Sequence, residues 1–220
     1  KKEGREIYLD NSVHELSYPY PDERLIYWLD NLQPNEFFIP DYLEDKTQSI
    51  VSAKKWIQWQ SKYPNTTFIA VVQAKSLGDA MECYQTYRDL GYTKIAFSYG
   101  ASYYNKVFPH PNKNISKMLG RLLVITELFN KGIISMNDKV HLLGTQLPQE
   151  FGWYYNMPFI ESIDTSNPIM AALDGTAYDE FGLIEKPISN MNDCFEIPIE
   201  KIDMNLLLHN ITMFKKINKL

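Results

Sequence analysis

Residues 140–168, VHLLGTQLPQEFGWYYNMPFIESIDTSNP, decide the fold of this chain. The first apolar run, residues 140–143, stops at Gly144, and the short aromatic-rich segment that follows predicts a helix. A second apolar run, residues 159–163, ends on Asp164. This succession of strand, helix and strand is typical of α/β proteins, in which residues at the carboxyl ends of strands carry the chemistry.

The same alternation runs through the rest of the chain. Short apolar runs alternate with segments whose apolar residues recur at helical spacing, which predicts a parallel sheet with right-handed crossovers. Neither a Gly-x-Gly-x-x-Gly nor a Walker A pattern accompanies the strands, which counts against a nucleotide-binding doubly wound sheet. The six strand-like runs are residues 6–9, 36–40, 67–72, 94–97, 140–143 and 159–163.

The composition fits a single domain that spans residues 1–220, since 45% of the residues are hydrophobic and 14% are aromatic. The net charge of -5 gives no global basic signature for nucleic acid, although a local basic patch is compatible with it. No apolar run approaches the roughly 20 residues of a membrane span. Cys83 and Cys194 lack metal-ligand spacing. We therefore expect a reduced, soluble protein of a bacterial or phage-infected cytoplasm, without a membrane partner.

Polar residues or glycine follow each predicted strand. If the strands form a parallel barrel, all of these positions share one rim, where three carboxylates and a carboxamide are costly to desolvate unless a ligand uses them. Taken singly, each position has a simpler interpretation, because an Asp after a strand often caps a helix or closes a turn. The positions are Asp10, Asp41, Gln73, Ser98, Tyr99, Gly144 and Asp164.

Two segments of the opening stretch resemble the tRNA-guanine transglycosylase superfamily. Residues 141–144 (HLLG) are similar to its His-Leu-Met-Gly strand, and residues 164–168 (DTSNP) keep the Asp-to-Pro spacing that ends its next strand. Matching segments follow in the same order from Asp10 to Pro168. The resemblance implies a (β/α)8 TIM-like barrel, compact or incomplete, and the alternative is an open parallel α/β sheet.

The resemblance also assigns roles to the residues at the strand ends. Asp164 matches the nucleophile that attacks the sugar, and Asp10 matches the Asp that protonates and deprotonates the base. Asp41 and Gln73 match residues that hold the guanine-type edge of the base. The remaining substrate-binding positions that it implies are Asn11, Ser98, Tyr99 and Gly144, and the family has two glycines where this chain has Ser98 and Tyr99.

Departures from the family narrow the expected function. Downstream of Asp164 the chain has only Cys194 and His209 in place of the Cys-x-Cys-x-x-Cys…His zinc pattern, so neither a metal nor a cofactor is expected. The chain is most similar to short phage relatives that put 7-deazaguanine bases into DNA, whose Asp-Asn-x-x-His-Glu opening matches residues 10–15. The predicted activity is that of a pentosyltransferase. It would replace guanine in nucleic acid, DNA rather than tRNA, by a free 7-deazaguanine base such as preQ0 through a covalent glycosyl-Asp intermediate.

Three interpretations stay open. The first is this base exchange in DNA. The second uses the same site as an N-glycosidase, or for exchange on tRNA or on free nucleosides and nucleotides. The third is a non-catalytic subunit that binds an active paralogue, and a homodimer is compatible with all three. His141, early in a strand, is predicted to be a hydrogen-bonded core residue and is not assigned to the site.

Residues 101–114 are rich in Tyr, Pro and Asn and predict a long loop that covers a site. Tyr103 and Tyr104 in this loop would stack on a flipped base or simply pack against the protein. Basic residues around it, among them Lys117 and Arg121, would contact phosphates or form a solvated helix face.

Overall fold

The computed structural model describes residues 1–188 and 197–220, and its centre is one parallel β-sheet. Six strands lie side by side in the order in which they occur along the chain, and each neighbouring pair is parallel. The predicted alternation of strands and helices is therefore confirmed. The strands are β1 (Tyr8–Leu9), β2 (Glu36–Phe38), β3 (Thr67–Val72), β4 (Lys94–Ser98), β5 (Lys139–Leu143) and β6 (Ile160–Ile163).

Helices connect the strands and follow the last of them. Several begin at a side-chain cap that the sequence supplies: Asp45, Ser76 and Asp203 each accept a hydrogen bond from a backbone N–H of the first turn. The α-helices are α1 (Val13–Leu16), α2 (Asp22–Leu32), α3 (Lys46–Trp56), α4 (Leu77–Asp89), α5 (Tyr104–Val107), α6 (Lys113–Asn130), α7 (Asn167–Leu173) and α8 (Met204–Asn218). Shorter 3-10 helices cover Ile57–Lys62, Pro148–Tyr154 and Ile199–Lys201.

The two faces of the sheet carry cores of very different size. Right-handed crossovers in an unreversed strand order all return on the same side, so the connecting helices pack on one face. Alternate strand residues, such as Phe37, Phe68 and Phe97, fill the large core between sheet and helices. The opposite face holds a small apolar cluster of Phe38, Ile69, Val71 and Ala96.

That second face is strongly concave. In a flat sheet, residues on β1 and β5 would be about 19 Å apart, because neighbouring strands are spaced by roughly 4.8 Å. The ring centroids of Tyr8 on β1 and His141 on β5 are only 6.0 Å apart. At the amino ends of the strands, Lys94 of β4 reaches Glu36 of β2 at 2.7 Å and Glu161 of β6 at 3.0 Å. The sheet therefore curls until side chains from its two edges meet.

The expectation of a closed (β/α)8 barrel is not what the structure shows. Within residues 1–188 and 197–220 the sheet has six strands, and β1 and β6 are its two edges, since neither pairs with the other. The alternative, an open parallel α/β sheet, describes it better, with the addition that the sheet is curled like half of a barrel. Side-chain contacts, not backbone hydrogen bonds, bring the two edges together.

The predicted loop at residues 101–114 is wrong in its details. The short helix α5 lies inside it, and α6 begins at Lys113. Tyr103 and Tyr104 are buried in the helix-side core, so they pack against the protein and do not offer a stacking surface. Cys83 is a buried free thiol, whereas Cys194 lies outside the described residues. Among the helices described, none is both long and apolar enough to cross a membrane.

Candidate active site at the carboxyl ends of the strands

A pocket of about 990 Å³ opens at the carboxyl ends of the strands. Its volume lies at the upper end of the range for small-molecule sites, roughly 300–1,000 Å³. The curl of the sheet explains it, because strand ends that would be far apart in a flat sheet converge on one cavity. Every residue that the sequence assigned to catalysis or substrate binding lines this pocket: Asp10, Asn11, Asp41, Gln73, Ser98, Tyr99, Gly144 and Asp164.

Asp41 forms the buried floor of the pocket. Its side chain accepts hydrogen bonds from Asn11 Nδ2 at 2.7 Å and from Gln73 Nε2 at 2.5 Å, one to each carboxylate oxygen. Asn11 is held in turn by the Ile39 carbonyl, and Gln73 Oε1 accepts from the Glu44 backbone N–H. Both amides therefore have a fixed orientation, and the carboxylate is held between them.

The charge of Asp41 is poorly compensated. Burial raises the pKa of its carboxyl group from 3.8 to about 6, although the hydrogen bonds from Gln73 and Asn11 oppose that rise. The negative charge of the nearby Asp10 carboxyl contributes to this rise. Among the described residues Asp41 forms no ion pair with Lys or Arg. A ligand that donates hydrogen bonds or carries positive charge would therefore be stabilised here.

Asp10 lies on the pocket wall directly after β1. Its Oδ1 accepts from the Asn11 backbone N–H at 2.6 Å, which fixes one side of the carboxylate. The group is open to the pocket yet closely surrounded by protein, and this desolvation raises its pKa. The negative charges of Glu15 and Asp164 raise the pKa further. Asp10 and Asp164 thus belong to opposite edges of the sheet but share one electrostatic environment.

Asp164 follows β6 and points into the same cavity. Its Oδ1 accepts a hydrogen bond from the Gly144 backbone N–H at 2.6 Å, so the end of β5 positions the carboxylate. About half of the side chain, 49%, remains exposed. Gly144 has a φ of +60°, and a Cβ at this position would lie 2.4 Å from the Tyr99 ring. Glycine is therefore required both by the backbone conformation and by the close approach of Tyr99.

A buried ion pair supports the β4 and β5 ends from behind. Arg121 of α6 is fully buried and pairs with Glu150 at 2.6 Å. Its guanidinium also donates to the carbonyls of Leu143 and Gly144 at 3.1 and 2.9 Å. The prediction that Arg121 contacts phosphates is therefore wrong, because its guanidinium is buried and bound to groups of the protein itself. The burial of Arg121 could have been predicted, because helical spacing in α6 places this residue on the same face as apolar residues.

His141 is a buried core residue, as predicted, but only one of its ring nitrogens has a partner. Nδ1 lies 2.8 Å from Ser162 Oγ on the neighbouring strand β6. Nε2 is buried and has no hydrogen-bond partner within the described part of the chain. The nearest charged atom to it is Asp164 Oδ1, at 3.8 Å.

Basic groups gather at the pocket mouth around Tyr99, and most of them were not predicted from the sequence. Lys186 Nζ donates to the Tyr99 hydroxyl at 3.0 Å and lies 4.7 Å from the centre of its ring. His14 Nε2 lies 3.3 Å from the same hydroxyl. Lys117 Nζ contacts the Gly100 carbonyl at 3.3 Å, and its pKa is lowered by burial and by the charge of Lys186. Lys186 comes from a segment with no regular periodicity, so its position could not be predicted from the sequence.

The pocket is acidic inside, and at its mouth Lys186 and Lys117 lie near one opposing charge, that of Glu44. The lysines suit a ligand with hydrogen-bond donors at one end and negative charge at the other. Among residues 1–188 and 197–220, no group of three or more His, Cys, Asp or Glu side chains is arranged to hold a metal ion. Comparison of the chain with protein-family models and with curated proteins gives no match.

Proposed function

We propose that this chain is a base-exchange transglycosylase that replaces guanine in nucleic acid by a 7-deazaguanine. The observation that carries the proposal is the convergence of Asp10 and Asp164. They end the two edge strands of a six-stranded sheet, yet the Asp164 charge acts on Asp10 within one pocket. Two carboxylates of this kind are the minimum for double displacement at an anomeric carbon.

In the proposed reaction, an Asp164 oxygen attacks C1′ of the nucleotide while the bond from C1′ to guanine breaks. The electron pair of that bond leaves with the base, and Asp10 donates a proton to it. The incoming base then loses a proton to Asp10 and attacks C1′, which releases Asp164. Burial and neighbouring charge hold the pKa of Asp10 above its ordinary value, as a proton donor near neutral pH requires.

The floor of the pocket would recognise the exchanged base. A carboxylate offers about four lone-pair positions, and on Asp41 the donors are Asn11, Gln73 and the Asp41 backbone N–H. The remaining acceptor capacity would take an N–H group on the amidine-like edge of guanine or of a 7-deazaguanine. Ser98 and Tyr99, where the resembled family has glycines, would narrow the pocket beside the base.

The basic mouth favours a substrate that carries phosphate. Lys186 contacts the Tyr99 hydroxyl and Lys117 contacts the Gly100 carbonyl. The charge of Lys186 acts on Lys117 and Glu44 opposes it only in part, so a backbone phosphate at the mouth would further relieve the repulsion between the lysines. A base within a duplex must be flipped to reach Asp41, whereas a single strand enters directly. A phosphate contact supports nucleic acid more than an unphosphorylated nucleoside, and the preference for DNA over tRNA comes from the resemblance of the sequence to the short phage relatives. We also propose that the curled sheet is a compact or incomplete form of the (β/α)8 barrel, whose strands follow the same sequential order.

The test is incorporation of labelled guanine or preQ0 into guanine-containing DNA, into tRNA and into free nucleosides. Wild type is compared with Asp164→Asn, which keeps the shape of the side chain, and with Asp22→Asn, which changes a partly exposed carboxylate on α2 that pairs with Lys55. Label that enters a polymer with wild type and Asp22→Asn but not with Asp164→Asn supports the proposal and identifies the polymer. No incorporation by any of the three proteins would refute it.

A second candidate function has one observation in its favour. Asp164 remains half exposed, so water could reach the covalent intermediate and hydrolyse it. The same incubation separates this N-glycosidase from the transglycosylase. Release of guanine without uptake of label, abolished in Asp164→Asn, would establish hydrolysis.

A further inference from the structure

The side chain that calls for an explanation is His141. It is completely buried, between the rings of Tyr8 and Phe38, whose centroids lie 6.0 and 5.0 Å from its own. A buried polar atom without a hydrogen bond lowers the stability of the folded state by about 1–3 kcal/mol. Such atoms are therefore rare, and those that occur often have a functional role. Nε2 of His141 is an atom of this kind, and it is directed toward Asp164.

The local shape of the sheet determines this direction. β5 and β6 pair Val140 with Ile160 but His141 with Ser162, so one extra residue of β6 is accommodated between the two pairs. Such a bulge re-aims side chains, and bulges are frequent beside active sites. Here it brings Ser162 opposite His141, where its hydroxyl holds Nδ1 at 2.8 Å. With Nδ1 held, the ring plane is fixed and Nε2 faces the end of β6.

Electrostatics decide which nitrogen carries the proton. If Nδ1 were the protonated nitrogen of the neutral ring, a lone pair on Nε2 would face the Asp164 carboxylate at 3.8 Å, which is repulsive. If Ser162 donates to Nδ1, the proton sits on Nε2 and faces that carboxylate. Ser162 also hydrogen-bonds the Tyr8 side chain, and in the second arrangement it can accept from the Tyr8 hydroxyl while it donates to Nδ1. The Nε2 proton then attracts the aspartate.

We propose that His141 is a positioning residue that holds Asp164 from beneath through its Nε2–H. At 3.8 Å the contact is longer than a hydrogen bond, and half of the carboxylate is still hydrated. When a substrate covers the pocket and removes that water, the Gly144 N–H and the His141 Nε2–H remain as donors on the protein side. The contact then shortens and fixes the carboxylate oxygen that attacks. This catalytic consequence rests on the proposed function, whereas the pairing of His141 with Asp164 does not.

The first experiment therefore needs no substrate. Long-range ¹H–¹⁵N correlation spectra distinguish the two imidazole tautomers, and the chain has only 4 histidines to assign. We expect the Nε2–H form of His141 at neutral pH in the wild type, and a substantial Nδ1–H population in Asp164→Ala. A wild-type Nδ1–H tautomer, or spectra that are the same in both proteins, would overturn the proposal even if the enzyme is an active transglycosylase.

The second experiment separates positioning from packing with two variants of similar size. In His141→Gln the amide nitrogen reaches the place of Nε2 and can still donate to Asp164. In His141→Asn the amide reaches only the place of Nδ1, so the partner of Ser162 is kept and the donor toward Asp164 is lost. We expect kcat of His141→Asn to fall about 10- to 100-fold below that of His141→Gln, as for one lost hydrogen bond to a charged group, with KM little changed.

Thermal unfolding of the two variants provides the control for folding. Equal kcat values in two folded variants would mean that His141 only packs, and the proposal would be wrong. If no variant and no wild type turns over any substrate, the proposed function fails, but the tautomer measurement still decides whether His141 and Asp164 are paired.

Discussion

The concave face of the sheet has charged groups at both of its ends, and the two ends are arranged in opposite ways. At the amino ends of the strands, Lys94 and Lys139 meet Glu36 and Glu161 in a neutral cluster with contacts of 2.5–3.0 Å. At the carboxyl ends, three aspartates share a pocket, and no Lys or Arg pairs with them within the described residues.

The difference shows which charges serve the fold. A buried lysine such as Lys94 needs partners, and it has them, so the amino end is complete without a ligand. Asp10, Asp41 and Asp164 are left with amide donors only, and the pKa values of Asp10 and Asp41 are raised as a result of burial. Uncompensated carboxylates of this kind destabilise the free protein and are stabilised only by a ligand, which is the pattern of a functional site.

The largest expected effect is on activity at the carboxyl end. Asp10→Asn removes the proposed proton donor, so we expect kcat/KM for base exchange to fall about 10²–10⁴-fold, the usual contribution of general acid–base catalysis. The melting temperature should stay the same or rise, because a poorly solvated carboxylate is removed. Steady-state kinetics and thermal unfolding measure the two quantities. A normal rate in Asp10→Asn would show that Asp10 is not the proton donor and would contradict the catalytic role proposed for the carboxyl end.

At the amino end the expected effect is on stability alone. Lys94→Met leaves Glu36 without its cation, so we expect the free energy of unfolding to fall by about 3–5 kcal/mol, as when one partner of a buried ion pair is removed. Lys139→Met is the matched control, because Lys139 is exposed, and it should cost less than about 1 kcal/mol. Urea denaturation measures both. Catalytic rate per folded molecule should be unchanged in Lys94→Met, and a specific loss of rate would contradict the division between the two ends.

Asp41 should make the stability of the protein depend on pH. Its pKa is about 6 in the folded state and 3.8 ordinarily, so between these values the folded chain binds its proton more tightly than the unfolded chain does. Stability should therefore fall as pH rises from 4 to 7, by at most about 3 kcal/mol from this group, at 1.36 kcal/mol per pKa unit. Urea midpoints of wild type and Asp41→Asn at both pH values isolate the effect. The same pH slope in the two proteins would show that Asp41 is not the group responsible.

The smallest effect concerns the basic mouth. If Lys186 and Lys117 each contact one phosphate, substituting either with Ala should reduce the slope of log K against log salt by about 1 for a DNA oligonucleotide. Lys113→Ala, an exposed lysine in the first turn of α6, should leave the slope unaltered. Fluorescence anisotropy at several salt concentrations gives the slopes. Equal slopes in all three variants would show that the lysines at the mouth do not contact phosphates. A free nucleoside would then be as good a candidate substrate as DNA.

The sequence predicted the elements of this molecule better than their assembly. The β3 strand at residues 67–72 was predicted with its observed bounds, because a continuous apolar run between turn signals has few other structures. The positions of Asp10, Asp41, Gln73 and Asp164 after strands followed from the same patterns, and these residues do line one pocket. Their functional roles remain predictions.

What the sequence could not give depends on contacts between distant segments. Whether the sheet closes or stays open depends on whether its two edge strands pair with each other. Local hydrophobic periodicity does not predict this pairing. From the sequence Arg121 is one more basic residue near a loop, but in the structure Glu150 and carbonyl groups at the ends of β4 and β5 enclose it. His141 was correctly predicted to lie in the core. The unpaired state of its Nε2 depends on a shift in strand register, which could not be predicted from the residue pattern.

The position of β1 has a consequence for folding. This strand has two residues, lies at an edge of the sheet and pairs only with β2, yet it delivers Asp10 to the pocket. Asp164 comes from the other edge, late in the sequence, so the two carboxylates meet only after every intervening strand and helix has docked. The two carboxylates are far apart in the sequence, and arrangements that depend on distant segments are slow to form. A ligand that needs both carboxylates therefore binds only the completely folded chain, so mass action would make it a stabiliser of the whole domain.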